Sequence, residues 1–448
     1  LDKKRFSYYD LIPLFKKIHS SRFEVTSAGT SADGKDIKLI RYGRGPLRVL
    51  AWSQMHGDES TATMALFDLI NFLSSNDRNN SIRDFLNDKL SIYIVPMLNP
   101  DGADQYKRRN AFEIDLNRDA LRLQTPEGKI LQSLRNSIEP SFGFNLHDQN
   151  SRYSVGKTFR SSTISLLAPP FNAERSINNV RSESMKLIVD IYKMLSRYIP
   201  GHISRYDDSF EPRAFGDNFM KQGTSIVLIE SGGWKNDDEK QFIRKLNYLS
   251  LLHSLFSIAN SGYAGCDVAD YFFIPENDKL IFDLLLKNLR VKYKNNEYLT
   301  DIGINRDEIS VLPEGSCYYK AYIEDIGDLS IYYGYEEYDL DGYSLEPGMV
   351  FPEIINDYAD LASMDFEKLH KDGYINVRVR NSSGFPEYSV YPVNILAEGV
   401  SSDSSIRTEG PANFVIKKNN NIEYTVVNGF ICDPKLRRSC IKNGLILK

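Results

Sequence analysis

A chain of 448 residues, 42% hydrophobic and 26% charged, can bury a large core and is expected to form two domains or more. Its formal net charge of -5, with lysine and arginine spread throughout, leaves no basic footprint for nucleic acid. No apolar run approaches the ~20 residues that span a bilayer; the best candidate, 246–258, is short and contains His253.

In chain order, residues 8–18 read as a short helix, followed by strand-like segments at 37–42 and 47–52 across a glycine-rich turn. After the second strand comes His56-Gly57-Asp58-Glu59, and then apolar residues at Ala62, Ala65, Leu66, Leu69, Ile70 and Leu73, which make one helical face. A strand at 90–97, a helix at 125–137, a strand leading to His147 and a long amphipathic helix at 174–197 continue the alternation. The strand ending at Glu230 and a helix at 239–258 close it. Alternation of this kind predicts a mostly parallel sheet with helices on both faces.

Around 259–265 the composition turns to small residues, which suggests a boundary: residues 1–260 as one domain and 261–448 as a β-rich accessory region of one or two small units. A helix is expected there at 278–290, then short strands at 319–323, 374–379 and 388–395, and a hairpin joining 413–417 to 422–429. The four cysteines lack the Cys-x-x-Cys spacing of a structural zinc or redox site. Cys432 and Cys440 could close a small loop, although free thiols are the simpler expectation. Because residue 1 is leucine, a leader removed upstream is compatible with the sequence; a soluble chain, extracytoplasmic or secreted rather than cytoplasmic, is expected.

The chemistry gathers in the first domain. An imidazole and a carboxylate three positions apart in a strand-to-helix turn can reach one zinc ion, although His-x-x-Glu alone recurs by chance. Further on come Asn99-Pro100-Asp101-Gly102, Arg108-Arg109-Asn110 and Asp115-Leu116-Asn117-Arg118, then His147 and Glu230 at strand ends. In this order the motifs resemble the zinc carboxypeptidase (metallocarboxypeptidase) family, over about residues 7–258.

The resemblance implies a twisted mixed sheet between helices and one Zn2+ per chain, held by His56, Glu59 and His147. It makes Glu230 the general base and Arg108 the arginine that stabilises the oxyanion, with Arg109 as the competing position. Asn117 and Arg118 match the pair that binds the substrate's free C-terminal carboxylate, and Asp115 the carboxylate that orients the first histidine. Tyr206, 24 positions before Glu230, is the nearest match to the family's mobile tyrosine. The implied partner is a peptide with a free C-terminus. A zinc deacylase or amidase acting on acylamino acids or cell-wall peptides is the alternative enzyme, and a peptide-binding relic without catalysis the alternative of another kind.

Overall fold

The computed structural model describes residues 1–18, 22–311, 316–381, 385–386, 388–403, 405–433 and 446–447. The chain divides into two units, Leu1–Lys279 and Leu280–Lys448. The small-residue stretch 259–265 lies inside the first of them.

In the first unit, strands β1 (Phe23–Thr30), β2 (Asp36–Tyr42), β3 (Leu47–Ser53), β4 (Leu90–Val95), β5 (Phe142–Asp148), β6 (Ser154–Val155), β7 (Ile164–Leu167), β8 (Ile203–Arg205), β9 (Ser225–Ser231) and β10 (Asn277–Asp278) alternate with helices. The helices are α1 (Tyr8–Lys16), α2 (Thr61–Ser74), α3 (Asn80–Lys89), α4 (Pro100–Asp104), α5 (Pro126–Ile138), α6 (Asn179–Leu195), α7 (Phe215–Lys221), α8 (Gln241–Asn260) and α9 (Val268–Phe273). Eight strands form one sheet in the order β1-β2-β4-β3-β5-β9-β7-β8, while β10 pairs with β6. Its centre, β4-β3-β5-β9, is parallel, and antiparallel pairings flank it. The fold is therefore mixed α/β.

Both faces of the sheet are buried, and β3 shows how. Val49 and Ala51 pack into a core with Leu66 and Ile70 of α2, Ile188 of α6 and Leu251 of α8. The alternate residues Leu50 and Trp52 pack against Leu131 of α5 and Phe215 and Phe219 of α7. A strand covered on both sides reads as an unbroken apolar run, which is why this segment was legible. Each buried valine, leucine, isoleucine or phenylalanine among them contributes about 1.5–3 kcal/mol by leaving water.

Helix α6 starts later than its apolar repeat suggests. The Asn178 side chain accepts from the Arg181 backbone N–H at 2.9 Å and caps the helix there, leaving Ile177 outside it and exposed. This corrects the expected start at residue 174.

The turn after β3 is buttressed by the Asn99-Pro100-Asp101-Gly102 stretch. Backbone N–H groups of Leu98 and Asn99 donate to the carbonyls of Ser53 and Gln54 at 3.1 and 3.0 Å, and the Asn99 side chain reaches the Met55 carbonyl at 3.3 Å. Gly57 touches this support so closely that a Cβ would lie 2.1 Å from the Gly102 carbonyl carbon. Two glycines meeting back to back explain why both motifs carry one.

In the second unit, β11 (Ile281–Tyr293), β12 (Asn296–Val311), β13 (Ser316–Gly327), β14 (Tyr333–Asp339), β15 (Ser344–Pro347), β19 (Phe414–Lys418), β20 (Asn421–Val427) and β21 (Phe430–Cys432) form one sheet. A second, parallel sheet holds β16 (Met349–Ile355), β17 (Tyr374–Val379), β18 (Asn394–Ala397) and β22 (Ile446–Leu447). The hairpin of β19 with β20 lies where the sequence suggests.

The expected helix at 278–290 is instead strand β11. Leu284, Leu286, Leu289 and Val291 share one core, while Phe282 and Leu285 enter another. A bulge between Leu286 and Leu289, with Asn288 at φ 57°, shifts the alternation by one residue. The inward residues then acquire a three-residue step that imitates a helix. The expected strand at 388–395 is also shorter, beginning at Asn394 after Pro392, which has no N–H for a ladder. Cys432 ends β21, and a bridge to Cys440 falls outside the described residues.

Gly57→Ala should lower the thermal midpoint by several degrees, from about 1–3 kcal/mol of overpacking in the turn. A calorimetric midpoint equal to wild type would show that the two glycines are not in tight contact.

Candidate metal centre

Parallel pairing brings the ends of β3, β5 and β9 side by side. In the β5–β9 ladder His147 stands directly opposite Glu230, and Ser53 of β3 stands opposite Leu146. His56 and Glu59 follow β3 in the turn to α2, tightened by the Glu59 N–H donating to the His56 carbonyl at 3.1 Å. Residues far apart in sequence thus meet at the C-terminal ends of central strands.

Glu59 sits between two imidazoles. Its Oε1 lies 2.7 Å from His56 Nδ1 and its Oε2 lies 2.8 Å from His147 Nδ1, and all three residues are buried. Their ligand atoms lie within 4.8 Å of one another. Burial opposes the charge on Glu59, yet the two histidines hold its carboxyl well below the usual carboxylate range. Burial likewise disfavours a charged His56, but the Glu59 charge and hydrogen bonds with Asp115 and Glu59 prevail and push it up to about 9. His147 is drawn below the ordinary imidazole range, chiefly by burial.

These donors suit a zinc ion. Asp115 Oδ1 lies 3.1 Å from His56 Nε2, so an Nε2–H donated to this carboxylate leaves the Nδ1 lone pair facing Glu59. A lone pair against a carboxylate at 2.7 Å is repulsive unless positive charge stands beside them. Arg108 Nη1, 3.1 Å from His56 Nδ1 and 3.2 Å from Glu59 Oε1, supplies part of that charge, and a second proton on His56 or a metal cation can supply the rest. Two imidazole nitrogens and a carboxylate oxygen form one of the known three-ligand zinc sets.

Asp115 is itself fixed. It accepts from the Asn117 N–H at 2.9 Å, beginning the 3-10 turn Leu116–Arg118, and from Arg108 Nε at 3.0 Å. Burial opposes its ionisation, but the bonds and charges of His56 and Arg108 hold its carboxyl below the usual range. Arg108 also reaches Glu59 Oε1 at 3.2 Å, whereas Arg109 turns to the Glu113 carbonyl at 2.8 Å. Of the two arginines, Arg108 stands beside the cluster.

Asn117 and Arg118 lie on that same turn. Asn117 Oδ1 accepts from the Phe215 N–H at 3.0 Å, tying the turn to α7. Arg118 donates to the Asn117 carbonyl at 2.7 Å and pairs through Nε with Glu211 at 3.2 Å. Tyr206 follows β8, its N–H on the Leu166 carbonyl at 3.0 Å. Burial raises its phenol pKa most, with the charges of Glu230, Tyr153 and Glu59 adding to the effect, so its hydroxyl shares the field of the cluster. Glu230 is buried, and burial followed by the Glu59 charge raises its carboxyl well above the ordinary range.

Sequence reading assigned nothing to Glu211 or Asp217. Glu211 joins Arg118 to Arg213, which it meets at 2.9 and 2.7 Å, and its N–H donates to Asp217 Oδ1 at 3.0 Å. The only signal in the sequence was an acidic residue in the first turn of α7.

Comparison with known proteins finds carboxypeptidases. Residues 8–162 match the model of the zinc carboxypeptidase family. Carboxypeptidase SOL1 of Arabidopsis thaliana is 28% identical over 149 residues, covering 30% of this chain and 30% of that protein. Carboxypeptidase 2 of Trichophyton rubrum is 26% identical over 146 residues, covering 32% and 26%. The chain therefore spans under a third of the length of these curated relatives. Among solved structures, a metallo-carboxypeptidase from Burkholderia cenocepacia aligns over 57% of this chain and 70% of its own, with a TM-score of 0.47 and 16% identity. The chain resembles the zinc carboxypeptidases in the order of its motifs and in the family match.

Asp217 offers a pH test of the packing around Arg118. Burial pushes its carboxyl from 3.8 up to about 7, so the folded protein favours the protonated form. The resulting stability is complete below the ordinary value and is lost as the pH rises through 7. Asp217→Asn should therefore become increasingly more stable than wild type between pH 4 and 7, by at most roughly 4 kcal/mol, read as a growing gap between their thermal midpoints. A difference that stays constant with pH would place Asp217 in water.

Proposed function

We propose that the first unit is a zinc-dependent carboxypeptidase that hydrolyses the C-terminal bond of peptides. The observation that carries this reading is the convergence of His56, Glu59 and His147 with Glu230 one strand away. A guanidinium turn, Asn117-Arg118, grows from the same Asp115 that fixes His56. A zinc ion, when bound, supplies Lewis-acid polarisation of a carbonyl and activation of water near neutral pH.

The chain's own groups would do the rest. Glu230, whose buried carboxyl has a raised proton affinity, accepts the proton of the attacking water and delivers it to the leaving amine. Arg108, held by Asp115 and Glu59 yet 44% exposed along its side chain, keeps donors for the oxyanion that develops on the scissile carbonyl. Arg118 takes the terminal carboxylate by the planar pairing that guanidinium groups favour, and its contact with Glu211 supports its ability to meet a carboxylate in place. Tyr206 borders the bound peptide.

Three measurements test this. Elemental analysis after zinc loading should give one zinc per chain, and His147→Ala should lose most of it; wild type that stays metal-free would refute the site. Arg118→Ala should cut kcat/KM for free-ended peptides by on the order of 2–5 kcal/mol, the scale of a charge left unpaired. Equal cleavage of amidated and free-ended peptides by wild type would point to an amidase or endopeptidase instead. Glu230→Gln should keep zinc and peptide binding while turnover drops at least ~100-fold. Undiminished kcat in that variant would remove Glu230 from the mechanism.

A further inference from the structure

One part-buried ion pair beside the cluster is used by neither the ligand set nor the proton transfer. Asp148 follows His147 at the end of β5, and its side chain is 10% exposed. Its Oδ2 accepts from Thr61 Oγ1 at 2.5 Å and from Lys240 Nζ at 3.1 Å. The same Nζ donates to the Ser231 carbonyl at 3.1 Å. Through its backbone N–H, Asp148 also donates to Glu59 Oε2 at 3.2 Å.

These contacts join the three pieces of chain that carry the site. Thr61 lies two residues past Glu59, Asp148 one past His147, and Ser231 one past Glu230. Lys240 closes the set from the residue before α8, at φ 51°. That left-handed backbone is rare for lysine and comfortable for glycine, so something about the side chain keeps lysine there. A largely buried ammonium needs a partner, and Asp148 is the carboxylate within reach.

We propose that Thr61, Asp148 and Lys240 form a clasp that sets the spacing of the β3 turn, β5 and β9, and through it the affinity for the metal. Lys240 is its positioning residue. The clasp acts on Glu59 through the Asp148 N–H and on the Glu230 strand through Ser231. This inference rests on the metal-centre reading, and the test separates the two.

Zinc affinity by chelator competition, the visible spectrum of the cobalt-substituted protein and the thermal midpoint should be measured on the full chain. Lys240→Met and Lys240→Gly should each weaken zinc about 10-fold or more, the range for groups that hold ligands from behind, and alter the cobalt spectrum. Lys240→Arg should retain most of the affinity. Glycine relieves the backbone, so its midpoint should stand above that of Lys240→Met while its zinc affinity remains low. Thr61→Val should also weaken zinc, and combining it with Lys240→Met should cost less than the separate losses predict, because both act through Asp148. Lys240→Met with wild-type affinity and an unchanged cobalt spectrum would overturn the clasp, even if its midpoint fell. Wild type that takes up neither metal would instead overturn the metal centre, and the clasp with it.

Discussion

A carboxylate buried between two imidazoles governs the arrangement of this end of the molecule. Glu59 is buried, with 11% of its side chain exposed, and meets His56 and His147 on its two oxygens. Charge in such a place is costly unless it is compensated on several sides. The compensation comes from the histidines, from the Arg108 guanidinium and from the Asp148 amide. Asp115 balances His56 and Arg108 in turn. The site is thus an electrostatic network with a place for one more positive charge, and removing any one member exposes the rest.

That network dictates local backbone. The turn after β3 must carry His56 and Glu59 while leaving room for Gly102, so it uses a glycine at 57 and a non-glycine left-handed residue, Gln54 at φ 48°. The Gln54 side chain compensates by donating to the Gly57 carbonyl at 2.9 Å and accepting from Thr63 at 2.9 Å. Strand, turn and helix are therefore held by polar groups that are themselves buried, as a rigid metal centre requires.

Much of this was readable in the sequence, for physical reasons. The parallel core strands are apolar on both faces, so their limits stand out, and the ligands follow directly at their ends. Asp115 and Arg108 could be placed only through resemblance, because nothing in their own spacing shows that they face His56. Lys240 and Glu211 were invisible: each acts across 92 and 93 residues, on Asp148 and Arg118. In the second unit, a single bulge at Asn288 was enough to turn a strand's pattern into that of a helix. Period arguments assume unbroken alternation, and bulges break it.

The register opposing His147 to Glu230 has a consequence for how the centre comes into being. Its members come from strands joined by crossovers of many tens of residues, so each pairing closes a long loop before it is rewarded. A short fragment can hold the His56–Glu59 pair alone, but the smallest continuous piece holding His56, Glu59, His147 and Glu230 covers most of the first unit. The cluster of His56, Glu59 and His147 can therefore close only once β5 has emerged and paired with β3, and Glu230 joins it only when β9 pairs with β5.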